Sequence, residues 1–155
     1  EVAKMAERIA GELEIGPLAI IEAPALPARP LALTRRALEL VLSELLENTR
    51  KFHPSHKPRV MLNLAPANSD SLSVVLADDG QHLSAAQLDR VWQPYYQGEA
   101  IFTGETPGMG LGLPLVARLV WETGGRCRLT NRTDQPGVLV ELVLPDRTGD
   151  SNLIG

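Results

Sequence analysis

Thr34-Arg35-Arg36-Ala37-Leu38-Glu39-Leu40-Val41-Leu42-Ser43-Glu44-Leu45-Leu46-Glu47-Asn48-Thr49-Arg50-Lys51-Phe52 is the stretch on which the fold turns. Leu38, Val41, Leu42, Leu45, Thr49 and Phe52 keep the i, i+3, i+4 spacing of one helical face, which predicts a long helix with a core-facing stripe. Thr34 is a suitable N-cap, and Pro54 closes the helix because its ring cannot continue one. Glu44, Asn48 and Lys51 fall along one edge of the stripe, where polar side chains border a cleft beside the core. An amide oxygen such as that of Asn48 is a hard, neutral ligand suited to Mg²⁺, which keeps several waters and takes few protein oxygens. Lys51, one turn on, can meet phosphate oxygens. Glu44, one turn back, can orient a metal-bound water or act as a general base. The plainer reading of the same edge is an ordinary solvated helix border.

Outward from this helix, residues 1–13 carry Val2, Met5, Ile9 and Leu13 at helical spacing and read as a short amphipathic helix, taken as the tail of an upstream element. Residues 18–22 form a short apolar strand, and Pro24, Pro27 and Pro30 an extended linker. Residues 59–65 and 71–77 read as neighbouring strands, with 66–70 as their hairpin connection. Ser84 caps a short helix running to Val91. A further helix over 111–123 carries Pro114 in its first turn and is stopped by Gly124-Gly125. Residues 126–131 and 138–144 are the last strands, joined by a turn with Pro136-Gly137, and the tail from Asp146 reads as frayed. The pattern predicts an α/β (α+β) two-layer sandwich: a mixed, mostly antiparallel sheet covered on one face by about three helices. The domain is expected over 15–147, with 1–14 belonging to an upstream linker or dimerisation element and 148–155 a frayed tail.

Composition narrows the function classes. A chain of 155 residues suffices for one core, and its apolar runs stop well short of the roughly 20 residues a membrane helix needs. The fifteen Lys and Arg are scattered and the net charge is −4, so the electrostatic footprint of nucleic-acid binding is missing. The single Cys127 has no partner for a disulfide within the chain, which favours a cytoplasmic setting and a role as small apolar filler.

Three further segments carry chemistry. Asp78-Asp79-Gly80 follows a strand directly, and a carboxylate released there by a Gly turn can accept from an exocyclic amine of a base; the bland alternative is an ordinary Asp-Gly turn. Gly108-Met109-Gly110-Leu111-Gly112-Leu113 opens a helix whose free N–H groups suit phosphate, although it fits neither the dinucleotide fingerprint nor a P-loop. Trp92-Gln93-Pro94-Tyr95-Tyr96 holds three of the six aromatics and precedes a polar segment that fits a lid hinged at Gly98 and Gly108. Trp92 also suits plain core packing.

In this order and spacing the four segments resemble the N, F and two glycine boxes of the histidine-kinase catalytic and ATP-binding domain, a member of the Bergerat-fold superfamily shared with type II topoisomerases, ninety-kilodalton heat-shock chaperones and mismatch-repair proteins. The resemblance spans about residues 18–145. It implies ATP and Mg²⁺ as cofactors, Asn48 as the Mg²⁺ ligand with Glu44 acting through water, and Lys51 on the phosphates. Phe52 and Tyr96 match aromatic positions beside the nucleotide. Asp78 matches the carboxylate that reads the adenine amine, supported by Gly80; Gly108, Gly110, Leu111 and Gly112 match the hinge and phosphate-facing box. The first glycine box usually reads Asp-x-Gly-x-Gly, and His82 stands at its second Gly. Either that turn is rebuilt, or His82 reaches over the nucleotide, or it is an exposed turn residue.

None of His53, His56 and His82 lies in an acceptor box of the kinase type, and all three read as surface residues. The resemblance therefore implies a catalytic domain that transfers the γ-phosphoryl of ATP to a histidine on a separate dimerisation domain, with a response regulator downstream. Neither nucleic acid nor direct membrane contact is expected. Two alternatives stand beside it: a stand-alone serine kinase of the anti-sigma type, and a degenerate nucleotide-binding regulator without catalysis.

Overall fold

The computed structural model describes residues 1–24, 26, 29–92 and 113–147. In chain order the elements are α1 (Val2–Glu12), β1 (Ala19–Glu22), α2 (Arg35–Phe52), β2 (Val60–Asn68), β3 (Ser71–Asp78), α3 (Ala85–Arg90), α4 (Leu113–Trp121), β4 (Arg126–Asn131) and β5 (Val138–Pro145). The strands form one sheet in the order β1-β2-β3-β5-β4. β1 and β2 run parallel, joined by the α2 crossover, and every other pairing is antiparallel. This is the mixed sandwich that the pattern predicts.

Alternation along the strands decides which sheet face is covered. Val60, Leu62 and Leu64 on β2, Val74 and Leu76 on β3, and Val140, Leu142 and Leu144 on β5 are buried. They meet Leu38, Val41, Leu42, Leu45 and Leu46 of α2, and Val116 and Val120 of α4, in one core. Val2, Met5, Ala6, Ile9 and Ala10 of α1 join the same cluster, so this helix is folded onto the domain. α3 buries no residue and is held instead by a capping box: Ser84 Oγ accepts from the Gln87 N–H, and Gln87 Oε1 from the Ser84 N–H. Thr34 caps α2 by accepting the Ala37 N–H. α4 ends at Trp121, short of the expected 123, and the turn after it closes on Gly124, whose φ of +86° is a conformation that side chains with a Cβ resist.

Several local expectations need correction. Residues 66–68 belong to β2, not to a hairpin connection; β2 continues through a bulge between Pro66 and Asn68, and the turn is confined to Ser69 and Asp70. Pro66 is tolerated there because β1 pairs with β2 only as far as Leu64, leaving no neighbour on that side to need its N–H. Phe52 is 39% exposed and does not complete the core stripe, whereas Leu46 is fully buried. The segment after β5 is not frayed at its start: the Asp146 N–H donates to Asp70 O, the Arg147 N–H to Pro30 O, and the Asp146 carboxylate pairs with Arg29 at 3.1 Å.

Leu46→Ala removes a fully buried side chain between helix and sheet, so unfolding in urea should show a loss of about 2–5 kcal/mol. Leu40→Ala, at a 43% exposed position of the same helix, should stay within about 0.5 kcal/mol.

Candidate functional site

The last turns of α2 and the loop after β3 meet at one end of the sheet. His53 caps α2 in an extended conformation (φ −75°, ψ 135°), and its Nε2 lies 2.9 Å from Asp79 Oδ1. Asn48 and Asp78 therefore belong to the same end of the molecule: Asn48 lies about 7–8 Å upstream of His53 along the helix axis, and Asp78 is the chain neighbour of Asp79.

Asp78 is held from two sides. Its Oδ1 accepts the Gly80 N–H at 3.0 Å and the Val138 N–H, from the neighbouring strand, at 3.1 Å. Among the described residues nothing donates to its Oδ2. Burial, the largest influence, pushes the Asp78 carboxyl above its ordinary range and Asp79 adds to this; the two N–H donors and His53 oppose it. The Asp78 carbonyl accepts from Arg132 Nη1 at 3.0 Å, and the same guanidinium grips Asp134 through Nε and Nη2. Gly137 (φ +137°) lies so close that a Cβ there would come within 2.1 Å of the Asp78 carbonyl oxygen. The loop between β4 and β5 is thus moulded around the Asp78 backbone.

Asp79 is driven the other way. Desolvation would raise its carboxyl, yet the Arg59 N–H, at 2.9 Å, and His53 together hold it below the ordinary carboxylate range. Beyond it, the Asn131 side chain accepts the Leu83 N–H and donates to the Leu83 carbonyl, both at 2.8 Å, as a strand neighbour would. His82 keeps a negative φ, so its turn is rebuilt without the second glycine, and its Nε2 lies 3.2 Å from Gln135 O. His53 is not a surface residue: its side chain is only 11% exposed. His56 takes a positive φ of 58° and places Nδ1 3.2 Å from the carbonyl of Arg50, closing the helix end.

On α2, Glu44 and Asn48 are half-buried and Lys51 is exposed. Glu44 and Lys51 make no hydrogen bond or ion pair among the described residues. Asn48 Nδ2 is buried and has no partner there. An amide held half-buried with a hydrogen-bonding atom unused among the described residues fits a ligand-binding group, and its oxygen is of the donor class Mg²⁺ accepts. No cluster of three or more His, Cys, Asp or Glu capable of holding a metal occurs among the described residues. A Mg²⁺ shared between one amide oxygen, waters and phosphates does not require one. Tyr96, Gly108, Gly110, Leu111 and Gly112 lie outside the described residues; Trp92 packs partly buried against the core. A cavity of about 540 Å³, bordered by Leu26, Arg29, Leu33 and Leu72, sits toward the opposite end of β3 and takes no part in this site.

Residues 34–148 match the model of the histidine kinase-, DNA gyrase B- and HSP90-like ATPase family. The chain belongs to that family. It is 32% identical over 117 residues to the sensor histidine kinase AruS of Pseudomonas aeruginosa, which covers 72% of the chain but only 12% of AruS. It is likewise 32% identical over 121 residues to the non-motile and phage-resistance protein of Caulobacter vibrioides, covering 76% of the chain and 14% of that protein. The chain thus spans about an eighth of the length of these relatives. Among solved structures, the mycobacterial sensor histidine kinase MprB superposes with a TM-score of 0.68 at 21% identity, over 94% of this chain and 93% of that one. Full-length ShkA in complex with AMPPNP gives 0.66 at 22% identity, over 94% and 29%. Within the family, the chain corresponds to the ATP-binding catalytic domain of sensor histidine kinases.

Gly137→Ala should lower stability by about 1–3 kcal/mol through strained φ and collision with Asp78, read by chemical unfolding. Because the Asp79 carboxyl titrates below its unfolded value of 3.8, its stabilisation is present above that pH and is lost as the pH falls through its folded value. The stability gap between wild type and Asp79→Asn should therefore narrow on acidification. Asp78 is raised, so its charged form opposes folding increasingly as the pH climbs past 3.8, and Asp78→Asn should be at least as stable as wild type at neutral pH.

Proposed function

We propose that this domain binds Mg·ATP between the C-terminal half of α2 and the loop after β3, and delivers the γ-phosphoryl to a histidine on a separate dimerisation domain of the same kinase. From there the phosphoryl would pass to an aspartate of a response regulator. The observation that carries this reading is the His53–Asp79 contact, which brings the end of α2 that bears Asn48 and the loop after β3 that follows Asp78 to the same end of the sheet. No helix among the described residues is long and apolar enough to cross a membrane, and the domain is proposed to work on the cytoplasmic side.

In this reading the free Oδ2 side of the Asp78 carboxyl accepts the exocyclic amine of adenine, while Gly80 and Val138 keep Oδ1 engaged and so fix the carboxyl plane. Asn48 would hold Mg²⁺, Glu44 would orient a water on the ion, and Lys51 would meet the phosphates. The bound ion supplies charge neutralisation on the phosphate oxygens. Phosphoryl transfer asks little covalent chemistry of the protein, so these side chains act by positioning and by offsetting charge. The acceptor imidazole is the nucleophile: its nitrogen bonds to the γ-phosphorus as the bond to the β-bridging oxygen breaks and ADP leaves. Phe52, exposed at the end of α2, would flank the nucleotide.

Asp78→Asn and Asn48→Asp should each abolish ATP-dependent phosphorylation by the full-length protein while leaving circular dichroism unchanged. Calorimetry should show Mg·ATP binding weakened at least about tenfold in both, the worth of one charge-assisted hydrogen bond or more. Unchanged affinity in both would refute the site. The phosphorylated product should be lost in acid and survive in base, as phosphohistidine does; acid-stable label would point to a serine acceptor.

A further inference from the structure

We infer that His53 is a positioning residue for nucleotide binding, holding the amide-bearing end of α2 against the carboxylate-bearing loop after β3 through a ring locked in one tautomer. The inference rests on the proposed nucleotide site and adds to it a residue that touches neither ATP nor metal.

The conformation begins with the sequence. Pro54 excludes the helical region for the residue before it, which puts His53 in the extended conformation observed and ends α2 there. The chain then turns back, with the His56 N–H donating to His53 O, and brings Ser55 under the ring. The Ser55 backbone N–H donates to His53 Nδ1 at 3.1 Å, with Ser55 Oγ 3.0 Å from the same atom. A ring nitrogen that receives a backbone N–H carries a lone pair, so the proton of the neutral ring sits on Nε2. That proton points at Asp79 Oδ1, 2.9 Å away.

Asp79 Oδ1 also accepts the N–H of Arg59, the residue just before β2. One carboxylate oxygen therefore ties three separate segments: the end of α2, the entry to β2 and the exit of β3. The ring edge reaches further, since His53 Cδ2 is 3.8 Å from where a Cβ on Gly80 would stand, and Gly80 supplies one of the two N–H groups on Asp78. The side chain is 11% exposed, which keeps water from competing for Nε2. With the ring removed, nothing else among the described residues joins the α2 terminus to Asp79.

The test is binding of a fluorescent ATP analogue with Mg²⁺ to this chain, measured for wild type, His53→Ala, His53→Gln, Asp79→Ala, the His53→Ala/Asp79→Ala double variant and Asp78→Asn, alongside thermal midpoints. His53→Ala should weaken binding by roughly tenfold, the scale of one lost charge-assisted hydrogen bond. His53→Gln, whose amide N–H can reach the same carboxylate, should recover most of it. The double variant should bind no worse than Asp79→Ala alone, as coupled partners require. Nitrogen-15 spectra should show the His53 ring protonated at Nε2 and bare at Nδ1. Loss of binding in Asp78→Asn with none in His53→Ala would overturn the positioning role and leave the site standing. Wild-type binding in both would overturn the site itself. A loss in His53→Ala that Gln does not restore, that adds to the loss in Asp79→Ala, or that follows the thermal midpoint would overturn the inference, as would a ring protonated at Nδ1.

Discussion

A carboxyl group that gives up part of its water needs other donors, and at Asp78 the surrounding structure supplies two of them. Burial drives its pKa upward, and two backbone N–H groups, from Gly80 and Val138, oppose the drive by bonding to one oxygen. β3 lies between β2 and β5, so a donor from the start of β5 reaches Oδ1 while Gly80, in the turn, supplies the other. The parallel β1–β2 pair at the sheet's edge, and the α2 crossover that it requires, place the helix terminus beside that same strand end.

The parts of this arrangement legible in the sequence are those whose cause is local. The periodicity of α2, the Thr34 and Ser84 caps and the Gly124 stop each depend on residues a few positions apart, and they stand where the pattern puts them. The continuation of β2 through residues 66–68 was not legible, because a Pro reads as a break unless the partner strand is known to end before it. Asp146 looked like the start of a polar tail; its carboxylate is held by Arg29 and the next N–H by the Pro30 carbonyl, both more than a hundred residues away in sequence.

The site divides in the same way. Asp78 and Gly80 are neighbours in sequence, and a Gly turn after a strand is visible without coordinates. Arg132, Asn131 and Val138 are bound to Asp78 and Leu83 by side chain-to-backbone bonds across 48 to 60 positions, and a backbone partner leaves no residue-type signature to search for. His53 carried a local signal, the His-Pro junction at the helix end, but its partner is a carboxylate beyond β2. A histidine beside a proline at a helix terminus reads as exposed until the turn through Ser55 and His56 closes over it.

The adjacent carboxylates Asp78 and Asp79 show how two like groups acquire different tasks from their surroundings. Asp79 is held low by Arg59 and His53 and is spent on structure; Asp78 is pushed high and keeps one oxygen without a donor among the described residues. Environments that move neighbouring titratable groups apart in this way mark a division of roles. The helix contributes the opposite problem. α2 presents its C-terminal end to the site, where the peptide dipoles carry partial negative charge that repels phosphate. The carbonyl of Arg50 is partly neutralised by the His56 ring, and Arg50 itself is committed to Glu47 at 2.5 Å. Lys51 is thus the cation of the last turn without a partner among the described residues, in a chain whose net charge is −4. A polyanion at such a helix end calls for a metal ion and a cation beside it, and the roles proposed for Asn48 and Lys51 would meet both needs together.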